Sequence, residues 1–156
     1  QPVSTLGKII ARIAEEENGV HFDRAAYLIL EASGIKRKGT NIRAHFKRVG
    51  RALPEGFVLE SGFVYPPNYS PRVQVWDGES DRRDLDVVPP KEIELATRKI
   101  LESADSLPWD ELVITLARLY GLQRVTQQNR DVLGRVLKSI CNAGRLTYDA
   151  GRVTPL

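Results

Sequence analysis

A frame that recurs 87 positions along the chain constrains its fold more than any other feature. Gly34-Ile35-Lys36-Arg37 returns as Gly121-Leu122-Gln123-Arg124, and Phe22-Asp23 returns as Trp109-Asp110. Around each frame the patterns come in one order: amphipathic helix, short extended piece, a helix ending at glycine, a third helix, a hairpin. A repeated supersecondary unit of this size implies two similar modules, and 156 residues suffice for two small cores.

In the first copy, residues 3–17 set Leu6, Ile9, Ile10 and Ile13 on one helical face, opposite Lys8, Arg12 and Glu15 to Glu17. Asn18-Gly19 stops this helix, because both residues accept positive φ. Val20-His21-Phe22 is extended, and Asp23 is the expected N-cap of the second helix. That helix is expected to bury Ala26, Leu28, Ile29 and Ala32 and to end at Gly34. The third helix follows a basic turn, capped by Thr40 or Asn41, with Ile42, Phe46, Val49 and Leu53 as its inward stripe. After Pro54-Glu55-Gly56, residues 57–65 predict a hairpin about Glu60-Ser61-Gly62, with Phe57, Phe63 and Tyr65 inward.

The second copy repeats the scheme from Lys91. Ile93, Ala96, Ile100 and Leu101 mark its first helix, and Leu112, Leu116 and Leu119 its second, ended by Gly121. Val132, Leu133, Val136, Leu137 and Ile140 mark the third, over roughly 127–142. Residues 145–153 predict a hairpin with an Asp149-Ala150-Gly151 turn. Helix, strand, helix, helix, hairpin is the order of a winged helix, a helix-turn-helix variant whose hairpin is the wing. The expected fold is therefore α+β, mainly α, with two tandem winged-helix modules over 1–65 and 91–156. Five prolines bracket a charged, aperiodic stretch in residues 66–90, which is expected to be a linker. Val73, Val75 and Trp76 give that stretch enough apolar character to lie along a domain surface.

The net charge is only +3, so its distribution matters more than its sum. Between Glu31 and Glu55 there is no acidic residue, yet Lys36, Arg37, Lys38, Arg43, Lys47, Arg48 and Arg51 are all basic. A recognition helix carries long cations on the face away from its core, where they reach phosphates and base edges. These residues, with Thr40 and Asn41, are the first candidates for DNA contact. In the second copy Arg124, Arg130, Arg135 and Lys138 form a weaker set, because Asp131 lies among them. The bland alternative for either set is a solvated helix face, and for the second copy a protein-facing surface.

Other chemistry is poorly represented. A single cysteine, Cys141, excludes an internal disulfide and on an apolar helix face suggests a buried thiol. His21 and His45 are the only histidines, with no zinc-ligand spacing. His21 is expected in a structural hydrogen bond, and Glu15 to Glu17 in a solvated face. No Gly-x-x-x-x-Gly-Lys-Ser/Thr segment is present to hold ATP phosphates, and Tyr27, Tyr69 and Trp76 are too scattered to predict a stacking platform. No apolar run approaches the length of a membrane span. No catalytic residue, metal or cofactor is expected. There is no methionine, even at position 1, so the chain is expected to be a segment of a longer protein. Its single cysteine fits a reducing compartment, so a cytoplasmic protein is expected.

The chain also resembles a family of domains of unknown function at the C-terminal end of large bacterial superfamily 1 helicase-like proteins. Those proteins commonly carry a nuclease-like domain related to very-short-patch repair enzymes. The resemblance rests on Glu17 to His21, on Gly34-Ile35-Lys36-Arg37-Lys38-Gly39, on Gly62-Phe63-Val64-Tyr65 and on Pro89-Pro90-Lys91-Glu92-Ile93, in that order. It covers nearly the whole chain, and departs in two places. Val20, preceded by Gly19, stands where the family has a proline before the histidine, and Val125-Thr126 follows Arg124 instead of a glycine. The resemblance implies a role attached to DNA helicase or nuclease action and supplies no catalytic residues. Taken with the basic stretch, the expectation is a non-catalytic DNA-binding appendage, partnered by duplex or junction DNA and by the rest of an ATP-dependent helicase chain. A protein-interaction module that docks on that chain or self-associates is the alternative.

Overall fold

A computed structural model describes residues 4–34, 44, 48, 52–79 and 81–156. They fall in two compact units, Gln1–Ser70 and Pro71–Leu156. Both are α+β and mainly helical, each with one small three-stranded antiparallel sheet.

In the first unit, α1 (Thr5–Glu17) begins where the Ser4 hydroxyl accepts from the Gly7 N–H at 2.9 Å, satisfying one of the donors a helix start leaves open. Its buried side is Gly7, Ile10, Ala11 and Ala14. Ile9, expected inward, is 43% exposed, because the buried stripe runs along positions 7, 10, 11 and 14 and position 9 lies on the far side of the helix. A Cβ on Gly7 would lie 2.4 Å from the Ala52 carbonyl oxygen. Asn18 ends the helix at φ 56°, and its side-chain amide donates to the Ser70 carbonyl at 2.9 Å.

β1 (Val20–His21) leads directly into α2 (Phe22–Ser33). The N-cap is His21, not Asp23: its Nδ1 accepts from the Asp23 N–H at 3.1 Å. The helix starts this early because the Phe22 N–H is already committed to the Gly62 carbonyl at 3.0 Å. The buried positions are consequently Phe22, Ala25, Ala26 and Leu30, while Leu28 is half-buried and Ala32 exposed. Gly34 closes α2 at φ 71°. Of the expected third helix, Ala44 and Arg48 are helical and exposed, and Leu53 packs on the core.

β2 (Val58–Glu60) and β3 (Phe63–Tyr65) join through Ser61 and Gly62, at φ 51° and 83°. Two positive φ values in a two-residue turn match the twist of a hairpin. The sheet order is β1-β3-β2, with Val20 opposite Val64. All three β3 residues are buried, because both faces are covered. Val64 enters the helical core. Phe63 and Tyr65 stack on the other face, where Tyr69 lies 4.6 Å from Tyr65 between ring centres and His21 lies 4.9 Å from Phe63.

In the second unit, α3 (Pro90–Ala104), β4 (Leu107–Pro108) and α4 (Trp109–Leu119) repeat the order. α5 (Gln127–Asn142) starts at Thr126, whose hydroxyl accepts from the Asn129 N–H. β5 (Leu146–Asp149) and β6 (Arg152–Pro155) turn through Ala150 and Gly151, at φ 51° and 78°. The sheet order is β4-β6-β5, and the Trp109 N–H donates to the Gly151 carbonyl at 3.0 Å, as Phe22 does to Gly62. Leu133, Leu137 and Ile140 enter the core from α5, and Val132 and Val136 pack at its margin.

Residues 66–90, expected as a linker, are divided between the units. Residues up to Ser70 belong to the first and those from Pro71 to the second. Val73 packs against the second core, and Leu85 and Val88, around a 3-10 turn at Leu85–Val87, are part of it. Arg83 anchors this strap. Its guanidinium bonds both oxygens of Glu92, at 3.1 and 2.9 Å, and also the Gln74 carbonyl at 2.8 Å. Glu92 is 1% exposed and accepts a further bond from the Tyr120 hydroxyl at 2.8 Å. A buried carboxylate needs this many partners, since its desolvation costs several kcal/mol. No sequence periodicity marked Arg83 or Glu92.

Candidate nucleic-acid interface

The first candidate set falls mostly outside the described residues: Lys36, Arg37, Lys38, Thr40, Asn41, Arg43, Lys47 and Arg51 are all there. Arg48 is described, helical and exposed. The 87-residue offset places Arg48 on Arg135 and Ala44 on Asp131, both exposed on α5.

The acidic run that balances this basic stretch is partly engaged locally. Glu16 pairs with Arg12 at 3.1 Å and Glu17 lies 3.8 Å from Arg24. His21 is held as a helix cap and as an edge partner of Phe63. Among the described residues no group of three or more His, Cys, Asp or Glu side chains could hold a metal ion.

In the second unit, Arg124 is exposed in the turn before α5. Arg130 lies 3.6 Å from Asp110, and Gln127 donates to Asp131 at 2.8 Å. Arg135 and Lys138 are exposed and have no carboxylate partner among the described residues. Arg130, Arg135 and Lys138 share a polar depression with Trp109, Asp110 and Asp131 between α4 and α5; Arg124 stands apart from it.

A second depression, of about 590 Å³, adjoins the first across Trp109 and Lys138. The end of α5 and the β5–β6 hairpin form its walls. Trp109 and Tyr148 meet edge to face, 5.3 Å between ring centres and 73° between planes. Tyr148 is 54% exposed. Cys141 lines the same hollow, half-buried, and burial raises its thiol pKa above the ordinary value. The sequence reading missed this aromatic pair. Its signal was present: Trp109 stands where the first copy has Phe22, and Tyr148, opposite Val153, stands where it has Leu59, opposite Val64.

Compared with family models, curated proteins and solved structures, the chain gives no match. No helix among the described residues is long and apolar enough to cross a membrane.

Proposed function

We propose that the chain is a tandem winged-helix DNA-binding accessory domain of a larger cytoplasmic, helicase- or nuclease-like bacterial protein, non-catalytic in itself. The observation that carries this reading is the acid-free basic stretch between Glu31 and Glu55. It occupies the same place in the first copy, between the second helix and the hairpin, that α5 occupies in the second. The shared sheet order and the exposed, helical Arg48 support it.

In this reading the first module grips duplex or junction DNA mainly through phosphates, while the catalytic parts of the parent act nearby. Neutralising about four phosphates makes affinity fall roughly a hundredfold between 50 and 200 mM salt. Titration of a labelled duplex at both salt concentrations tests this. Saturable binding with that salt dependence is expected, and the absence of duplex binding at low salt overturns it.

Exposed Val75 and Trp76, 55% and 39% accessible on the strap, favour a second reading, a surface that docks on the parent chain or on another copy. A dimer in size-exclusion chromatography that persists in high salt and dissociates on Val75→Asp substitution would mark that reading as the correct one.

A further inference from the structure

We infer that the groove between α5 and the β5–β6 hairpin of the second unit holds an unpaired nucleobase carried on a phosphate backbone. Two observations converge there. Tyr148 presents an exposed ring beside Trp109, and a base can stack on such a ring whatever its sequence, because every base has a π-face. Lys138 lines the same hollow, in which no carboxylate side chain takes part. Arg135 lines the adjoining depression. Of the two carboxylates there, Asp110 faces Arg130 at 3.6 Å and Asp131 accepts from Gln127 at 2.8 Å, so Lys138 and Arg135 are the cations that a strand leaving the aromatic pair would meet.

The polar groups at the margin, the Asn142 amide and the Thr147 hydroxyl, offer hydrogen bonds to a base edge without selecting one base. The contrast with the first copy sharpens the assignment. There the corresponding side chains are Phe22, which is buried, and Leu59, so at this pair of positions the first copy offers no exposed aromatic pair. A peptide with an apolar anchor and an acidic flank would also complement the groove, but the exposed Tyr148 ring beside Trp109, with Lys138 at its edge, fits a nucleotide strand better. The inference rests on the nucleic-acid reading for its ligand class, though not for its residues.

The test uses the full chain and two labelled oligonucleotides, a blunt hairpin duplex and the same duplex with a six-nucleotide thymidine overhang. The overhang is expected to tighten binding about tenfold, and Tyr148→Ala to abolish that gain while leaving blunt-duplex affinity unchanged. Tyr148→Phe keeps the ring and is expected to retain the gain. Lys138→Glu is expected to reduce it. Tyr148 lies at the surface, so these variants fold. If blunt duplex fails to bind while free oligothymidine binds and Tyr148→Ala weakens it, this inference stands and the proposed function fails. An overhang without effect, or a gain that survives Tyr148→Ala, overturns the inference. So does a Tyr148-dependent complex with an acidic peptide when no oligonucleotide binds.

Discussion

The two units share a sheet order, a two-residue turn with both φ values positive, and the same bond from the second helix back to that turn. They differ in what covers this framework. The first covers the outer sheet face with His21, Phe63, Tyr65 and Tyr69. In the second, Arg152 and Thr154 stand at the positions of Phe63 and Tyr65, and the added packing is the strap fixed by Arg83, which lies against the helical core. The lesson is that backbone geometry has been kept while each copy's accessory packing and outward chemistry diverged. An acid-free basic stretch belongs to the first copy, and an exposed aromatic pair to the second.

The strap offers the sharpest way to break the comparison. Glu92→Ala leaves the Arg83 guanidinium, 13% exposed, without its carboxylate, and is expected to cost about 3–5 kcal/mol. Chemical denaturation measures the loss. Replacing both Arg83 and Glu92 with leucine is expected to restore most of it, because a buried ion pair can often be exchanged for apolar packing. A single variant as stable as the parent would mean that the strap is not held by this pair.

The equivalent glycines give a smaller and more selective contrast. Gly34 and Gly121 both have positive φ, 71° and 90°. A Cβ on Gly34 meets nothing within 4 Å, whereas one on Gly121 would lie 2.7 Å from the Trp76 ring. Gly34→Ala is expected to cost about 1 kcal/mol through its backbone alone, and Gly121→Ala about 2–3 kcal/mol because the indole must also move. Equal costs would show that Trp76 yields freely.

The smallest effect concerns pH. Burial, followed by the neighbouring Tyr69 and Glu60, raises the Tyr65 phenol above its ordinary 10.0. The folded form therefore retains that proton longer than the unfolded chain. Its contribution is fully present below about pH 10 and declines as pH rises further. Tyr65→Phe is expected to flatten that alkaline loss, and thermal melts across this range measure it.

Much of the framework was legible because periodicity and stop signals are local. Helix spans, the two hairpins and the glycine ends all follow from patterns a few residues long. Asp23 misled because the cap was decided by a bond from Phe22 to Gly62, a contact 40 residues away. The strap misled for a similar reason: Val73, Leu85 and Val88 are too widely spaced to announce a packed segment. The Trp109–Tyr148 pair needs two residues 39 positions apart to meet, and only the repeat alignment would have set them together. By contrast the basic stretch is a property of composition, readable without any fold.

The central claim is that the copies share a scaffold while the first carries the duplex-binding charge. Its most direct test compares two charge reversals in one labelled-duplex titration at low salt. Arg43, Lys47 and Arg51 are changed together to glutamate in one protein, and Arg130, Arg135 and Lys138 in the other. The account predicts a loss of at least about a hundredfold from the first reversal and a loss of less than about tenfold from the second. Equal losses, a larger loss from the second, or no change from the first would contradict it.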